Sequence, residues 1–165
     1  MRNSVSILAV GFVLILTTPH EVHASSGWQA PLANPVLVNQ FLQPTSDYSA
    51  GHRGVDYLAK IGQAVLAPSD GAVKFVGRVV NRGVLTLQHT GSLITSFEPI
   101  CSTLRPGDAV LRGSVIGRVC QRPGYQNHCG VRVCLHFALR TSTGYLSPLV
   151  TIGGLSPSRL LPTRP

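Results

Sequence analysis

Val-Arg-Val-Cys-Leu-His-Phe-Ala-Leu-Arg, residues 131–140, alternates apolar side chains with others at a period of two. Successive side chains of an extended chain point to opposite faces. Val131, Val133, Leu135, Phe137 and Leu139 therefore share one face, and Arg132, Cys134, His136, Ala138 and Arg140 the other. The stretch predicts a strand over Val131–Arg140 that lays its first set on a core and presents His136 on a wetter face. Outward from it, turn residues recur at short intervals: Gly51, Gly54, Gly62, Pro68, Gly71, Gly77, Gly83, Gly91, Pro106-Gly107, Gly113, Gly117, Pro123-Gly124 and Gly130. The intervening segments are rich in Val, Leu, Ile and Thr. Strands are predicted at Ala64–Ala67, Ala72–Val80, Val84–Gln88, Ile94–Glu98 and Val115–Val119, with one short strand in the lead-in from Val36-Leu37-Val38 and Phe41-Leu42. The pattern is that of an all-β, compact antiparallel domain.

Composition excludes several classes. A chain of 165 residues is too short for two full catalytic domains. With 12% charged and 44% hydrophobic residues it is not disordered throughout. Its 17 Gly and 12 Pro disfavour long helical bundles. The net charge of +8 comes from scattered Lys and Arg, without a basic helix, zinc finger or stacking motif, so nucleic acid is excluded as the partner. An acidic cell wall, attracted at long range, suits this charge better.

Arg2, the apolar run Val5–Leu16 and Val22-His23-Ala24 together read as a secretory signal cleaved after Ala24. The run is shorter than the ~20 residues that span a bilayer, so no stable membrane span is expected after cleavage. The expected organisation is a signal at 1–24, an extended lead-in at 25–50, a β domain over 36–152 and a flexible tail at 153–165. The product is expected to be secreted or held in the cell envelope. Four cysteines in an exported chain predict two disulfides. Of the three possible pairings, Cys129–Cys134 with Cys101–Cys120 is favoured because the first closes a local loop; the competing four-cysteine zinc site usually shows C-x-x-C spacing, which is absent.

His52-Arg53-Gly54-Val55-Asp56 places an imidazole and a carboxylate four residues apart, on one side of a strand or helix, with Gly54 letting the backbone turn so that both enter one cleft. With His136 they form a set of two nitrogens and one oxygen that suits Zn²⁺ at ~2.0–2.2 Å, leaving one position for water. His89 reads as structural.

The stretch GHRGVDYLAKIGQAVLAPSDGAVKFVG (51–77), followed by CLHFALR (134–140), resembles the lysostaphin-like zinc metallopeptidases that act on murein. The resemblance covers about Val36 to Leu149 and lies in the order and spacing of the motifs. It implies an antiparallel β domain with an open groove, a zinc cofactor on His52, Asp56 and His136, and peptidoglycan peptides as partners. The segments Gln63–Val73 and Leu104–Gly117 also resemble the barrel-sandwich of biotinyl and lipoyl carriers, but Lys74 lies inside a strand pattern and not at a hairpin tip.

Two departures stand out. The first His of the family's H-x-H is Cys134 here, and Pro99 takes the place of a second catalytic His after Thr95-Ser96-Phe97-Glu98. Losing such groups costs ~10²–10⁴ in rate each. His128 and Glu98 are the candidates for a replacement base. The competing expectation is a degenerate module that binds the wall or regulates a hydrolase.

Overall fold

The computed structural model describes residues 27–46, 48–121 and 129–153. The signal expected at 1–24, the candidate base His128 and the expected tail from 154 onward lie outside the described residues. The elements are β1 (Leu37–Asn39), β2 (Val55–Leu58), β3 (Ala64–Leu66), β4 (Gly71–Val79), β5 (Arg82–Gln88), β6 (Ile94–Glu98), β7 (Ile100–Cys101), β8 (Ala109–Val110), β9 (Val115–Val119), β10 (Cys134–Arg140), β11 (Tyr145–Leu146) and the single-turn helix α1 (Leu149–Ile152). No helix among the described residues is long and apolar enough to cross a membrane.

All the strand pairs are antiparallel. The larger sheet runs β1-β2-β10-β6-β5-β4-β8, with β11 on the end of β10, and the smaller runs β3-β9-β7. The core lies between them. Val55, Leu85, Leu87, Phe97, Leu135 and Phe137 from the large sheet meet Val65, Ile100, Ile116 and Val119 from the small one. Phe97 and Phe137 stack with ring centroids 5.3 Å apart. Each such side chain contributes roughly 1.5–3 kcal/mol on burial, so one face of every central strand is fixed by the core and the opposite face is free to carry polar groups.

The period-two reading of 135–139 is correct, but β10 begins at Cys134 and not at Val131, which is fully exposed. Gly130 has φ +70°, a turn conformation, and the Cys129–Cys134 bridge closes the loop there, so residues 131–133 cannot run on as strand. The second face is also less wet than expected. Cys134 and Ala138 are buried, because β10 sits in the middle of the sheet with neighbours on both edges. Strand β2, which the sequence shows only as a ligand motif, fills the slot between β1 and β10.

Both disulfides are formed and none of the four cysteines is free. Cys101–Cys120 staples β7 to the end of β9, where the backbones press so close that a Cβ on Gly117 would lie 2.6 Å from the Cys101 carbonyl oxygen. His89 is a core group. Its Nδ1 lies 2.8 Å from the Asp70 carbonyl oxygen and its Nε2 2.8 Å from the Thr95 hydroxyl, and Trp28 packs on its ring at 4.7 Å. That contact, the bond from Gln29 N–H to the Pro68 carbonyl and buried Leu32 tie residues 28–32 onto the domain.

Two expectations follow. Replacing Cys101 and Cys120 together by Ala should cost about 3 kcal/mol, as for a loop of this length, in urea unfolding; an unchanged midpoint would show the staple to be idle. Burial pulls the His89 pKa below its ordinary 6.5, with the Asp70 carbonyl and carboxylate opposing in part. Below pH 6.5 the unfolded chain then binds a proton that the folded one refuses, so stability is full above that pH and falls as the pH drops. The unfolding midpoint of the wild type should fall between pH 7.5 and 5.0 by more than that of His89→Gln; parallel declines would remove His89 as the cause.

Candidate metal centre

The chain enters the site through an isolated bridge between Leu42 and His52, with the two residues exchanging backbone bonds of 2.9 and 3.0 Å. Four residues later, Asp56 sits in β2 between two register partners, Asn39 of β1 and His136 of β10. In an antiparallel pair, directly opposed residues share a face. The ladder thus lines up Asn39, Asp56 and His136 across three strands, on the side away from the core.

The three groups expected on the metal converge. Asp56 Oδ1 lies 2.8 Å from His136 Nδ1 and 3.2 Å from His52 Nε2, and the two nitrogens are 3.2 Å apart. One donor atom from each lies within 4.8 Å of the others. Asp56 has no exposed side-chain surface, and the imidazoles retain 23% and 14%. Two ring nitrogens and a buried carboxylate thus aim at one point, an arrangement that a cation satisfies and a neutral core does not. Nitrogen and oxygen donors in this number, with one open side, fit Zn²⁺.

Neighbouring groups hold the donors in place. His52 Nδ1 is 2.7 Å from the Gln40 carbonyl oxygen; donating there puts the proton on Nδ1 and leaves the Nε2 lone pair directed inward. Asn39 Nδ2 donates to Asp56 Oδ2 at 2.8 Å. The Cys129 sulfur lies 3.6 Å from the same oxygen; being in a disulfide it has no proton to give, so it packs there without donating. For the same reason the neighbouring trio Asp56, Cys129 and Cys134 offers no thiolate. Gly54 is required by close approach and not by a turn: a Cβ would lie 2.5 Å from the Phe137 carbonyl oxygen and 2.7 Å from the His136 ring. Its φ is not among the positive values of the chain.

Glu98 of β6 is the register partner of His136 on the other edge of β10, so it shares the face of the three donors. Its side chain is 19% exposed, and Oε2 pairs with Arg82 Nε at 2.8 Å. Pro99 stands between β6 and β7, where the chain passes from one sheet to the other, and brings no proton-transfer group. Cys134 is buried in its bridge. A cavity of about 520 Å³, lined by none of the three donors, opens between Gln43–Ser46 with Arg53 and the Thr141–Leu146 turn. Asn39, Gln40 and Arg82 had no motif to announce them, since their roles arise from strand pairing between distant segments.

Comparison with known proteins agrees with this architecture. The profile of peptidase family M23 matches residues 50–148. The uncharacterized protein Rv2891 of Mycobacterium tuberculosis is 34% identical over a 164-residue alignment covering 95% of this chain; the chain spans 63% of that relative's length. Lysostaphin, an antimicrobial peptidase of Staphylococcus simulans, superposes in its solution structure with a TM-score of 0.61 at 21% identity, over 76% of this chain and 53% of its own. A zinc-containing peptidase of Vibrio cholerae gives 0.57 at 20% identity, over 73% and 38%. At these identities the two structures establish the shared fold.

If Asn39 holds the Asp56 carboxylate for a metal, Asn39→Ala should weaken Zn²⁺ binding by about 10–100-fold, measured by competition with a chromophoric chelator. Unaltered affinity in a folded variant would show that the strand ladder alone suffices.

Proposed function

The chain belongs to peptidase family M23, and from that membership we propose that it is a zinc-dependent endopeptidase acting on the peptides of bacterial peptidoglycan outside the cytoplasmic membrane. The observation that carries this reading is the convergence of His52, Asp56 and His136 on one point. Bound there, Zn²⁺ would act as a Lewis acid toward a peptide carbonyl and lower the pKa of a coordinated water toward ~7.

The chain's own groups do the rest. His52 is oriented by its Nδ1–H bond to the Gln40 carbonyl, which turns Nε2 toward the centre, and His136 turns Nδ1 toward the same point. Asp56 holds its carboxylate against both rings, with Asn39 on its outer oxygen. Glu98 is assigned as the proton acceptor. Arg82 occupies Oε2, which leaves Oε1 to take a proton from the attacking water and return it to the leaving amine. A carboxylate on this face offsets part of what the chain lacks at Cys134 and Pro99. The positive net charge favours approach to an acidic wall.

A second reading is supported by one specific observation: neither Cys134 nor Pro99 can supply the imidazole that the family resemblance leads one to expect. In that version the groove binds wall peptides without cutting them. Metal content after dialysis, followed by chromatography of peptides released from purified sacculi, separates the two. We expect one zinc per chain, release that disappears with the metal in His136→Ala, and a drop of about 10²-fold or more in Glu98→Gln with zinc retained. Zinc without release, but with sedimentation onto sacculi, selects the binding module. Unimpaired release by Glu98→Gln excludes Glu98 as the acceptor.

A further inference from the structure

The face that carries the three donors continues along β10 to a second, separate cavity. Four residues beyond His136, Arg140 is the register partner of Ile94, Ile94 of Gln88, and Gln88 of Ala72. This row crosses β10, β6, β5 and β4 parallel to the row of His136 and Glu98. At its end Lys74 Nζ donates to Gln88 Oε1 at 3.3 Å, while Gln88 Nε2 is tied to the Leu93 carbonyl at 3.1 Å. Lys74, Gln88 and Arg140, with Ser92, Thr141 and Thr143, line a cavity of about 650 Å³.

Among the described residues, no acid serves these two cations. Of the carboxylates among the described residues, Asp56 faces the imidazoles, Glu98 pairs with Arg82, Asp70 accepts from Arg112 N–H and Asp108 from Arg105 N–H. The cavity therefore presents an ammonium, a guanidinium and a rim of hydroxyls, a donor set made for an anion. Along a strand, four residues measure roughly 13 Å, so an extended peptide with a carbonyl at the donor triad would bring a group about four residues away over Arg140.

We propose that the Lys74–Arg140 cavity is a subsite for a carboxylate of the bound peptide, placed about four residues from the carbonyl held at the His52–Asp56–His136 centre. The spacing rests on the metallopeptidase reading; the carboxylate preference does not. Charge-assisted bonds from both cations favour the acid over its amide by about tenfold in a groove open to water. A peptide carboxylate is preferred over a wall phosphate because the subsite shares a strand with the centre at a peptide's own repeat.

The test uses the full chain loaded with zinc and oligoalanine probes that carry a hydroxamate at one end and a carboxylate or a carboxamide at the other. One to six residues separate the two ends, in both chain polarities, and affinity is read by calorimetry. The carboxylate series should bind about tenfold tighter than the amides, with a maximum near four residues. Lys74→Gln/Arg140→Gln should erase the difference while zinc content and circular dichroism stay the same. If the hydroxamate adds no affinity but acid still beats amide, the metal reading has failed and the subsite survives. Equal binding of acid and amide by the wild type overturns the subsite. So does inorganic phosphate that displaces the acid and the amide alike, which would mark a general anion patch. A maximum at one residue would overturn the spacing.

Discussion

A carboxylate with no solvent exposure must be surrounded by partners, and Asp56 is surrounded on every side that the structure describes. Two imidazoles face one oxygen, while an amide and a disulfide sulfur face the other. Those neighbours come from β1, β2, β10 and the segments leading into them, so the site exists only when three strands pair in one register. A slip of one residue would carry Asp56 into the core and Val55 onto the opposite face. The core prevents that slip, because Val55, Leu135 and Phe137 are held between the two sheets by the same ladder. Packing on one face thus sets chemistry on the other.

The chemistry differs from what the family resemblance implies at two positions, and the difference has a structural counterpart at each. Cys134 is committed to a bridge whose other sulfur packs on Asp56, so the position at which the resemblance implies a proton-moving group instead helps to confine the Asp56 carboxylate. Pro99 terminates β6 without a polar side chain. One residue earlier, Glu98 stands opposite His136 with Arg82 on one oxygen. Beside the three donors this face thus carries a carboxylate held by a guanidinium, where the resemblance leads one to expect an imidazole one residue later.

Much of the fold and the three donors could be read from the sequence, for identifiable reasons. Apolar alternation at 135–139 is a direct imprint of burial on one face, and the spacing of His52 and Asp56 reflects their place on one edge of the site. The supporting groups were hidden because they depend on pairing. Asn39 lies in a strand of three residues and meets Asp56 only through the β1–β2 register. Arg82 reaches Glu98 across β5 and β6. Gly54 looks like a turn residue but is small because the ring of His136 and the Phe137 carbonyl fill the space where a side chain would stand. Val131 and Val133 looked like strand because the alternation extends past the bridge that interrupts it.

The turn at Thr141–Gly144, with Gly144 at φ +144°, borders both cavities at once. It is a party wall between two compartments. A molecule occupying either one presses on side chains that shape the other, so substitutions in the two chambers will not combine as independent increments; their joint effect will depart from the sum wherever this hairpin is the shared boundary. Selection for what fits in one chamber therefore constrains what the other can admit.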